Sequence, residues 1–341
     1  FRRVLFRSFQ NLNEERFIEY LTKQFPSPSP IVGIGDDCAV IPTERGPTEQ
    51  GMAWLVTTDA LVEGVHFLKD QIAATDLGYK TVAVNVSDIT AMGGEPKYAF
   101  LSIALPREVN STWIHNLIQG VKAACEKWNI LLLGGDTVGS KRDIFLNLTL
   151  MGCAITERIK YRHQAQVGDV ICVSGYLGDS GGGLKALQEK IRKTEDVEYL
   201  LRAHFHPEPD PKQGAWLAAY NALHAMMDIS DGLDCDLRRL IKSSHKGAII
   251  ETSQLPISVP LTLVSLENKW DSLELVLTGG EDYCLLLSVS ADDFESVQNS
   301  FQNTFKSPLF NIGHITDQTD QLIYNKHGEV IQMRYTNFDH F

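Results

Sequence analysis

Residues 75–94 read Thr75-Asp-Leu-Gly-Tyr-Lys-Thr-Val-Ala-Val-Asn-Val-Ser-Asp-Ile-Thr-Ala-Met-Gly-Gly94, and this stretch decides the fold class. It opens on a threonine, which caps helices well, and closes on two glycines, which end them. Its apolar part is longer than a normal strand, so we predict a helix over 75–92. Residues 54–58 before it and 98–105 after it are short and apolar, which predicts strands. The alternation indicates an α/β protein.

The rest of the chain continues this alternation. In the first half we predict a helix at 111–128 and strands at 130–133 and 144–155, from apolar residues at helical or strand spacing. In the second half we predict helices at 180–191, 212–224, 233–243 and 291–305, and strands at 170–174, 248–252 and 284–289. The fold class is therefore α/β with mixed (α+β) sheets. We predict an N-terminal extension over 1–14 and two domains over 15–158 and 159–341.

Composition excludes several functional classes. The chain has 341 residues and a formal net charge of −12, so a phosphate-backbone nucleic-acid binder is not expected. No apolar run approaches the roughly 18 to 20 residues that span a bilayer, so we expect no membrane segment. The six cysteines form no C-x-x-C pair, which argues against structural zinc. A cytoplasmic location is the expectation.

Acidic residues recur in one kind of place. Apolar runs repeatedly end in a small or glycine residue followed by a carboxylate, and the residues concerned are Asp36, Asp37, Asp59, Asp88, Asp136, Asp228, Asp231, Glu281 and Asp282. Each alone could be a turn former or helix cap. Gathered at strand ends, however, such carboxylates would repel one another unless cations neutralise them, and oxygen ligands suit Mg²⁺. Since Mg²⁺ in such sites often completes its shell with substrate phosphates, the pattern indicates a phosphate-handling enzyme.

Two familiar catalytic motifs do not explain the chain. The sequence contains no Walker A motif, G-x-x-x-x-G-K-[ST], so a P-loop kinase is excluded. Gly178-Asp-Ser-Gly-Gly182 imitates the loop around a serine-protease nucleophile, but residues 184–191 after it have helical periodicity. We interpret it instead as a strand-to-helix turn capped by Asp179 or Ser180.

An ordered set of motifs resembles the family of bacterial thiamine-monophosphate kinases. This family shares a superfamily with aminoimidazole ribonucleotide synthetase and selenophosphate synthetase. The motifs follow the family's order and spacing from about residue 14 onward: Gly33-Ile-Gly-Asp-Asp37, Thr57-Thr-Asp59, Glu63-Gly-Val-His-Phe67, Ala83-Val-Asn-Val-Ser-Asp-Ile-Thr-Ala-Met-Gly93, Gly134-Gly-Asp-Thr137, Val167-Gly-Asp169, Gly178-Asp-Ser180, Asp228-Ile-Ser-Asp-Gly-Leu233, Gly279-Gly-Glu-Asp-Tyr283 and Asp339-His-Phe341.

The resemblance implies ATP-dependent phosphorylation of thiamine monophosphate to thiamine diphosphate by direct in-line transfer. It implies a homodimer with the aminoimidazole ribonucleotide synthetase-like fold, in which N-terminal domains pair through their sheets. Several Mg²⁺ ions would be held by Asp37, Thr57, Thr58, Asp59, Asp88, Asp136, Asp228 and Asp231. ATP would contact Gly135, Asp136, Arg162 and Ser230. Thiamine monophosphate would contact His66, Glu281 and a C-terminal aromatic residue, Tyr335 or Phe338. Asp59, Asp88 and Asp136 would act by electrostatics and positioning, with no covalent catalyst.

The chain departs from the family pattern at two places, and other functions remain open. Tyr161-Arg-His-Gln-Ala165 replaces the family's Thr-Arg-Ser-Gly-Ala, and Asn337 replaces a glycine that often precedes the aromatic residue. One alternative is another ATP-dependent enzyme of the superfamily, similar to aminoimidazole ribonucleotide synthetase. Another is a non-catalytic protein that binds nucleotide or thiamine phosphate. A magnesium-dependent phosphatase is a third.

Overall fold

The N-terminal half forms one mixed sheet. The structure is a computed structural model that describes Ile18 and residues 21–43 and 51–331. Five strands lie in the order β1-β2-β5-β3-β4, with β3 and β4 parallel and the other neighbours antiparallel. Their bounds are β1 Ala39–Pro42, β2 Met52–Val62, β3 Glu95–Pro106, β4 Leu131–Ser140 and β5 Phe145–Ile155. β4 is an edge strand, and residues 131–139 are all exposed.

Two helices accompany this sheet. α1 (Ala74–Ala91) packs on β2 and β5, and α2 (Ser111–Lys127) packs on the other side of α1. α2 starts where the Asn110 side chain accepts a hydrogen bond of 2.8 Å from the backbone N–H of Trp113, an N-cap that satisfies a free helix amide. Because α1 also meets a helix at Pro211–Ala218 and a strand at Leu223–Asp228 of the C-terminal half, it lies in the middle of the molecule.

The C-terminal half forms a second mixed sheet. Seven strands lie in the order β12-β11-β8-β10-β6-β9-β7, with β8 and β11 parallel and the other neighbours antiparallel. The strands are β6 Val170–Val173, β7 Leu223–Asp228, β8 Gly247–Glu251, β9 Leu285–Val289, β10 Phe310–Thr316, β11 Leu322–Lys326 and β12 Glu329–Ile331. The helices are α3 Asp179–Gln188, α4 Glu195–Phe205, α5 Pro211–Ala218, α6 Leu233–Ser244, α7 Val259–Asn268, α8 Ser272–Thr278 and α9 Phe294–Phe305.

The predicted class, α/β with mixed sheets, is confirmed. The predicted helix at 75–92 corresponds to α1, and that at 111–128 to α2. The predicted helix at 212–224 is wrong at its end, because α5 stops at Ala218 and Leu223 already pairs with Val289 in the second sheet. The boundary predicted between 158 and 159 falls in the segment that joins the two sheets, and its exact position stays a prediction. The predicted extension over 1–14 lies outside the described residues.

Each sheet has its own hydrophobic core. Leu55, Leu77 and Leu148 belong to the first core, and Leu240, Ile250 and Leu286 to the second. Among the described residues, no helix is long and apolar enough to cross a membrane. Buried polar side chains, among them Lys80, Ser87 and Asp228, lie where the two halves meet around α1, and the candidate site lies there.

Candidate functional site

Three carboxylates from three different elements meet beside α1. Asp37 precedes β1, Asp88 lies near the end of α1, and Asp228 is the last residue of β7. One carboxylate oxygen from each lies within 4.8 Å of the others. These residues are spread over nearly two hundred positions of the sequence. The fold therefore brings them together from both halves of the chain.

Two hydroxyl groups hold the cluster in place. The Ser87 hydroxyl donates to Asp228 Oδ2 at 2.6 Å, and the Thr57 hydroxyl donates to Asp88 Oδ2. Asp59 lies two residues after Thr57 on the same face of β2, and burial and then the Asp59 charge raise the pKa of Asp88. Five residues predicted as magnesium ligands are therefore neighbours or linked by hydrogen bonds: Asp37, Thr57, Asp59, Asp88 and Asp228.

The electrostatics of the cluster favour a bound cation. Burial, and then the neighbouring carboxylates, raise the pKa of Asp88 and the pKa of Asp228 well above their usual value. Burial and Asp231 raise the pKa of Asp59 to about 6. Among the described residues, Asp37 Oδ2 is buried and has no hydrogen-bond partner. Since buried polar atoms are normally paired, an oxygen-coordinated cation such as Mg²⁺ fits this cluster.

Arg162, predicted to contact ATP, lies at the edge of the cluster. Its guanidinium Nε is 3.3 Å from Asp36 Oδ1, and its terminal nitrogen forms an ion pair with Asp37. Burial and the Asp37 carboxylate raise the pKa of Asp36 to about 7, although Arg162 opposes this. Arg162 thus contributes positive charge beside carboxylates from the N-terminal half.

A second acidic group surrounds the predicted ligand Asp231. Asp236 Oδ2 accepts from the backbone N–H groups of Ser230 and Asp231, at 3.0 and 3.1 Å. Arg239 Nη1 lies 2.5 Å from Asp231 and 2.9 Å from Asp236. Ser230, predicted to contact ATP, therefore lies in a turn that Asp236 fixes, two residues after Asp228.

Glu281, predicted to contact the acceptor, forms an ion pair across the domain boundary. Lys80 Nζ on α1 lies 2.9 Å from Glu281 Oε1 and 3.0 Å from Oε2. His204 Nδ1 on α4 lies 3.1 Å from Oε2. Burial would raise the pKa of Glu281, but Lys80 and His204 together bring that pKa below its usual value. The Glu281 carboxylate is therefore ionised at neutral pH.

A cavity of about 340 Å³ opens beside this ion pair. The turn after β6, helix α4 and the 281–285 segment border it, with side chains that include Ser180, Tyr199, Arg202 and Glu281. At the base of the turn, Asp282 Oδ2 accepts from the backbone N–H of Gly178 at 2.8 Å. Gly178 is the N-cap of α3, so the prediction that Asp179 or Ser180 caps this helix is wrong.

Other predicted residues lie apart from the carboxylate cluster. Thr58 projects from the opposite face of β2 to Thr57 and exchanges a hydrogen bond of 3.1 Å with Thr149. Asp136 is exposed on the edge strand β4, beside Gly135. His66 follows β2, and its Nδ1 accepts from the backbone N–H of Val62 at 3.1 Å. The sheet thus separates Thr58 from the cluster.

Four residues of the site were not predicted from the motifs, and two predicted residues lie outside the part of the chain that the structure describes. Tyr335 and Phe338 lie outside the described residues. Sequence reasoning missed Lys80, Ser87, His204 and Arg239, which support the carboxylates. For Lys80 a signal existed, since it is the one charged residue between Leu77 and Ser87 of a largely apolar helix.

The fold and the site place the chain in a known class. Residues 35–154 match the family model for the N-terminal domain of AIR synthase related proteins, and residues 166–325 match the model for the C-terminal domain. The matches fall on the two sheets described above. The chain is thus an AIR synthase related protein with two domains.

Similarity to individual proteins narrows this class. The chain is 35% identical over 309 residues to the thiamine-monophosphate kinase of Buchnera aphidicola from Acyrthosiphon pisum, which covers 87% of this chain and 91% of that one. It is 34% identical over 313 residues to the enzyme of Escherichia coli K12, covering 91% and 92%. A solved structure of AaThiL complexed with AMPPCP and TMP superposes with a TM-score of 0.83 at 31% identity, covering 98% of each chain. The chain belongs to the thiamine-monophosphate kinase family.

Proposed function

We propose that the protein phosphorylates thiamine monophosphate to thiamine diphosphate with ATP. The observation that carries this proposal is the cluster of Asp37, Asp88 and Asp228, which the fold assembles in a chain of this family. A relative of the same fold has been solved with AMPPCP, an ATP analogue, and TMP. The cluster, the ion pairs of Arg162 and the cavity beside Glu281 together offer places for both substrates.

Magnesium is part of this proposal. Asp37, Asp59, Asp88, Asp228 and Asp231 would hold several ions, with the Thr57 and Ser87 hydroxyls fixing two of the carboxylates. When bound, Mg²⁺ offsets the charge of two phosphate groups that would otherwise repel each other. Thr58 and Asp136 face the exposed side of the sheet, so we assign them to a different part of the proposed nucleotide–metal site.

The residues of this chain act by binding and orientation. The acceptor phosphate oxygen is already ionised at neutral pH, so no protein base has to remove a proton from it. Arg162 presents its guanidinium beside Asp36 and Asp37, where it can meet a phosphate as well. Transfer then depends on holding the two substrates in line and shielding them from water. We propose direct transfer with no phosphoenzyme.

A homodimer completes the proposal. The exposed edge strand β4 carries Leu131 and Leu133, which are 59% and 56% exposed, on the same strand as Gly135 and Asp136. Apolar side chains along an open sheet edge favour a protein partner, and the partner we propose is a second copy of this chain. Because the reaction consumes ATP, we place the protein in the cytoplasm.

Product analysis tests the function directly. Purified protein is incubated with ATP, Mg²⁺ and either thiamine monophosphate or thiamine, and products are separated by chromatography. We expect thiamine diphosphate and ADP in equal amounts from thiamine monophosphate, and no product from thiamine, which lacks the accepting phosphate. Phosphate release without thiamine diphosphate would indicate a phosphatase. Binding of both ligands without turnover would indicate a non-catalytic binder.

The stereochemistry of transfer tests the proposed route. ATP carrying a chiral γ-thiophosphate should give ADP and the β-thio analogue of thiamine diphosphate with inverted configuration at the transferred phosphorus, because a single in-line displacement inverts that centre. Retention of configuration, or a labelled phosphoenzyme, would contradict direct transfer.

A further inference from the structure

Lys80 is an unusual residue for the place it occupies. It lies in the first half of α1, is 2% exposed, and heads the largest fully buried side chains in the described part of the chain. Lysine is almost never fully buried unless it is paired. Its ammonium group has three hydrogen atoms to donate, and it contacts three oxygens of the C-terminal half: the two carboxylate oxygens of Glu281 and the backbone carbonyl of His204, at 2.9 to 3.0 Å.

The backbone of residues 280–283 also fixes the position of Glu281. Its φ is +57°, and those of Gly280 and Tyr283 are +60° and +49°, so three of four successive residues adopt the left-handed conformation. The backbone N–H of Glu281 donates to the Ser230 carbonyl at 2.6 Å, and that of Tyr283 to the Ile229 carbonyl at 2.8 Å. The segment that carries Glu281 is therefore tied to the turn between Asp228 and Asp231.

His204 completes the surroundings of the Glu281 carboxylate. Because an ionised carboxylate only accepts hydrogen bonds, the contact of 3.1 Å to Oε2 assigns the imidazole proton to Nδ1. Burial and the Lys80 charge lower the pKa of His204, so this imidazole is neutral. The full positive charge next to Glu281 therefore comes from Lys80. The Glu281 side chain keeps 25% exposure and lines the cavity beside Ser180.

We propose that Lys80 is a positioning residue for the acceptor site, whose buried ammonium group holds both oxygens of Glu281 in the orientation that meets the acceptor. This inference rests on the proposed function, since it assigns Glu281 to the acceptor. Because Lys80 already neutralises Glu281, the pair carries no net charge. Glu281 then accepts a hydrogen bond from a donor group of thiamine monophosphate. It does not act as an isolated counter-ion for a cation.

The first test compares Lys80→Met with a matched lysine at the same domain boundary. Lys127 on α2 pairs with Glu208 and donates to the Tyr79 hydroxyl at 2.7 Å, so Lys127→Met removes a cross-boundary ion pair that does not touch Glu281. We expect Lys80→Met to lower kcat/KM for thiamine monophosphate roughly 10- to 100-fold, as for loss of a charged hydrogen bond. Both variants should bind ATP with wild-type affinity. Lys127→Met should also keep the wild-type kcat/KM for thiamine monophosphate. Equal losses in both variants would mean that Lys80 only joins the domains, and would overturn the proposal.

A pH profile separates positioning from packing. Around Glu281 the charged or titratable groups are Lys80 on α1, His204 on α4, and Asp282 and Tyr283 on its own segment. Without the ammonium group, burial dominates and the pKa of Glu281 rises. The ratio of wild-type to Lys80→Met kcat/KM for the acceptor should therefore be largest at acidic pH and shrink as pH increases. A ratio independent of pH would contradict the role assigned to Lys80.

A double variant tests whether Lys80 acts through Glu281. In the Glu281→Gln background, Lys80→Met should cause no further loss of acceptor kcat/KM, because its target is already neutral. Additive losses would overturn the proposal. If Lys80→Met does not fold, Lys80→Arg serves instead: it keeps the charge and moves the carboxylate, so KM for the acceptor should rise while KM for ATP does not. A parallel rise in both would count against positioning.

The outcomes distinguish this inference from the proposed function. Wild-type protein that makes no thiamine diphosphate refutes the function, whatever the variants do. A double-variant cycle on the free energy of unfolding measures the Lys80–Glu281 coupling without any acceptor. Suppose that the wild-type enzyme is active and the coupling is strong, but Lys80→Met leaves the kinetics with the acceptor unchanged. That result would refute only the positioning role.

Discussion

The hydroxyl oxygen of Ser87 lies 2.6 Å from Oδ2 of Asp228, although 141 positions separate the two residues in the chain. Ser87 belongs to α1 of the first half, and Asp228 ends β7 of the second. The bond therefore links the domains at one of the three carboxylates of the cluster. It follows that loss of the Ser87 hydroxyl should alter both stability and magnesium binding.

Ser87→Ala should weaken both properties. Loss of this buried hydrogen bond costs roughly 0.5–1.5 kcal/mol of unfolding free energy in metal-free protein, where burial favours the protonated form of Asp228, and roughly 1.5–3 kcal/mol when bound Mg²⁺ keeps Asp228 ionised. Thr81→Val is the matched control, since the Thr81 hydroxyl on the same helix donates only to the Leu77 carbonyl at 2.7 Å. Urea unfolding with and without Mg²⁺ measures both effects. A rise in the Mg²⁺ concentration for half-maximal stabilisation in Ser87→Ala alone would support the assignment, and equal behaviour of the two variants would contradict it.

Asp88→Asn should abolish transfer without unfolding the protein. We expect a fall in kcat on the order of 10² or more, as when a strong electrostatic stabiliser is removed. In metal-free protein the same change should raise the melting temperature, because burial and three carboxylates disfavour the charged form of Asp88. Asp292→Asn, at an exposed position, should change neither quantity. Normal turnover of Asp88→Asn in saturating Mg²⁺ would be incompatible with the proposed site.

Metal-free protein should lose stability as pH rises from 5 to 8. Burial raises the pKa of Asp36 and Asp236 to about 7 and that of Asp59 to about 6. In this window the unfolded chain has already released these protons while the folded chain still binds some of them. The free energy of unfolding therefore decreases with rising pH until the pH exceeds the pKa values of the folded state. Thermal melts in a chelator should show this fall, and added Mg²⁺ should stabilise more at pH 8 than at pH 5. A flat profile in the chelator would contradict it.

Gly135 should tolerate no side chain, whereas its neighbour Gly134 should. A Cβ on Gly135, where φ is +149°, would lie 1.7 Å from the backbone carbonyl oxygen of Leu101. A Cβ on Gly134 would be 3.6 Å from the Phe100 ring, an ordinary contact. Gly135→Ala should therefore displace β4 and reduce ATP binding at least about tenfold, through lost positioning of Asp136. Calorimetric titration of ATP into both variants checks this, and equal affinities would exclude Gly135 from the nucleotide site.

Leu133→Asp should convert the proposed dimer to monomer. A charge on the exposed edge strand would have to be desolvated when a second copy covers it. Leu266→Asp is the control, because Leu266 is equally apolar and 73% exposed, but lies on α7 of the other half. Sedimentation velocity should give a monomer for Leu133→Asp and a dimer for the wild type and Leu266→Asp. A monomeric wild type would refute the dimer itself.

Sequence patterns predicted the elements better than their ends. α2 was predictable because its apolar residues recur at helical spacing and Asn110 caps it. α1 was predictable from its length and the glycines that follow it, but the predicted Thr75 cap is wrong, because the N-cap is Ala73 and makes no side-chain cap hydrogen bond. The carboxylates follow strand ends only in part: Asp228 ends β7, but Asp59 lies inside β2 and Asp136 inside β4. Those strands extend through polar residues because neighbouring strands pair with them, and such long-range pairing leaves no local signal.

The side on which a residue projects was harder to predict than its chemistry. Thr57 and Thr58 are adjacent and chemically identical, yet one contacts Asp88 and the other lies on the exposed face with Thr149. Strand alternation requires this separation once the register is known. The ion pair between Lys80 and Glu281 was beyond sequence reasoning, because it depends on how the two domains pack.

The buried position of Lys80 also has a consequence for biosynthesis. Lys80 and Glu281 are 201 positions apart, so α1 leaves the ribosome long before its partner is made. At about 5–20 residues per second, the interval is roughly 10 to 40 s. During that time the ammonium group stays hydrated, and the apolar surface of α1 has no second domain to cover it. The nascent N-terminal half should therefore be a chaperone client, and its folding should be completed only when translation ends.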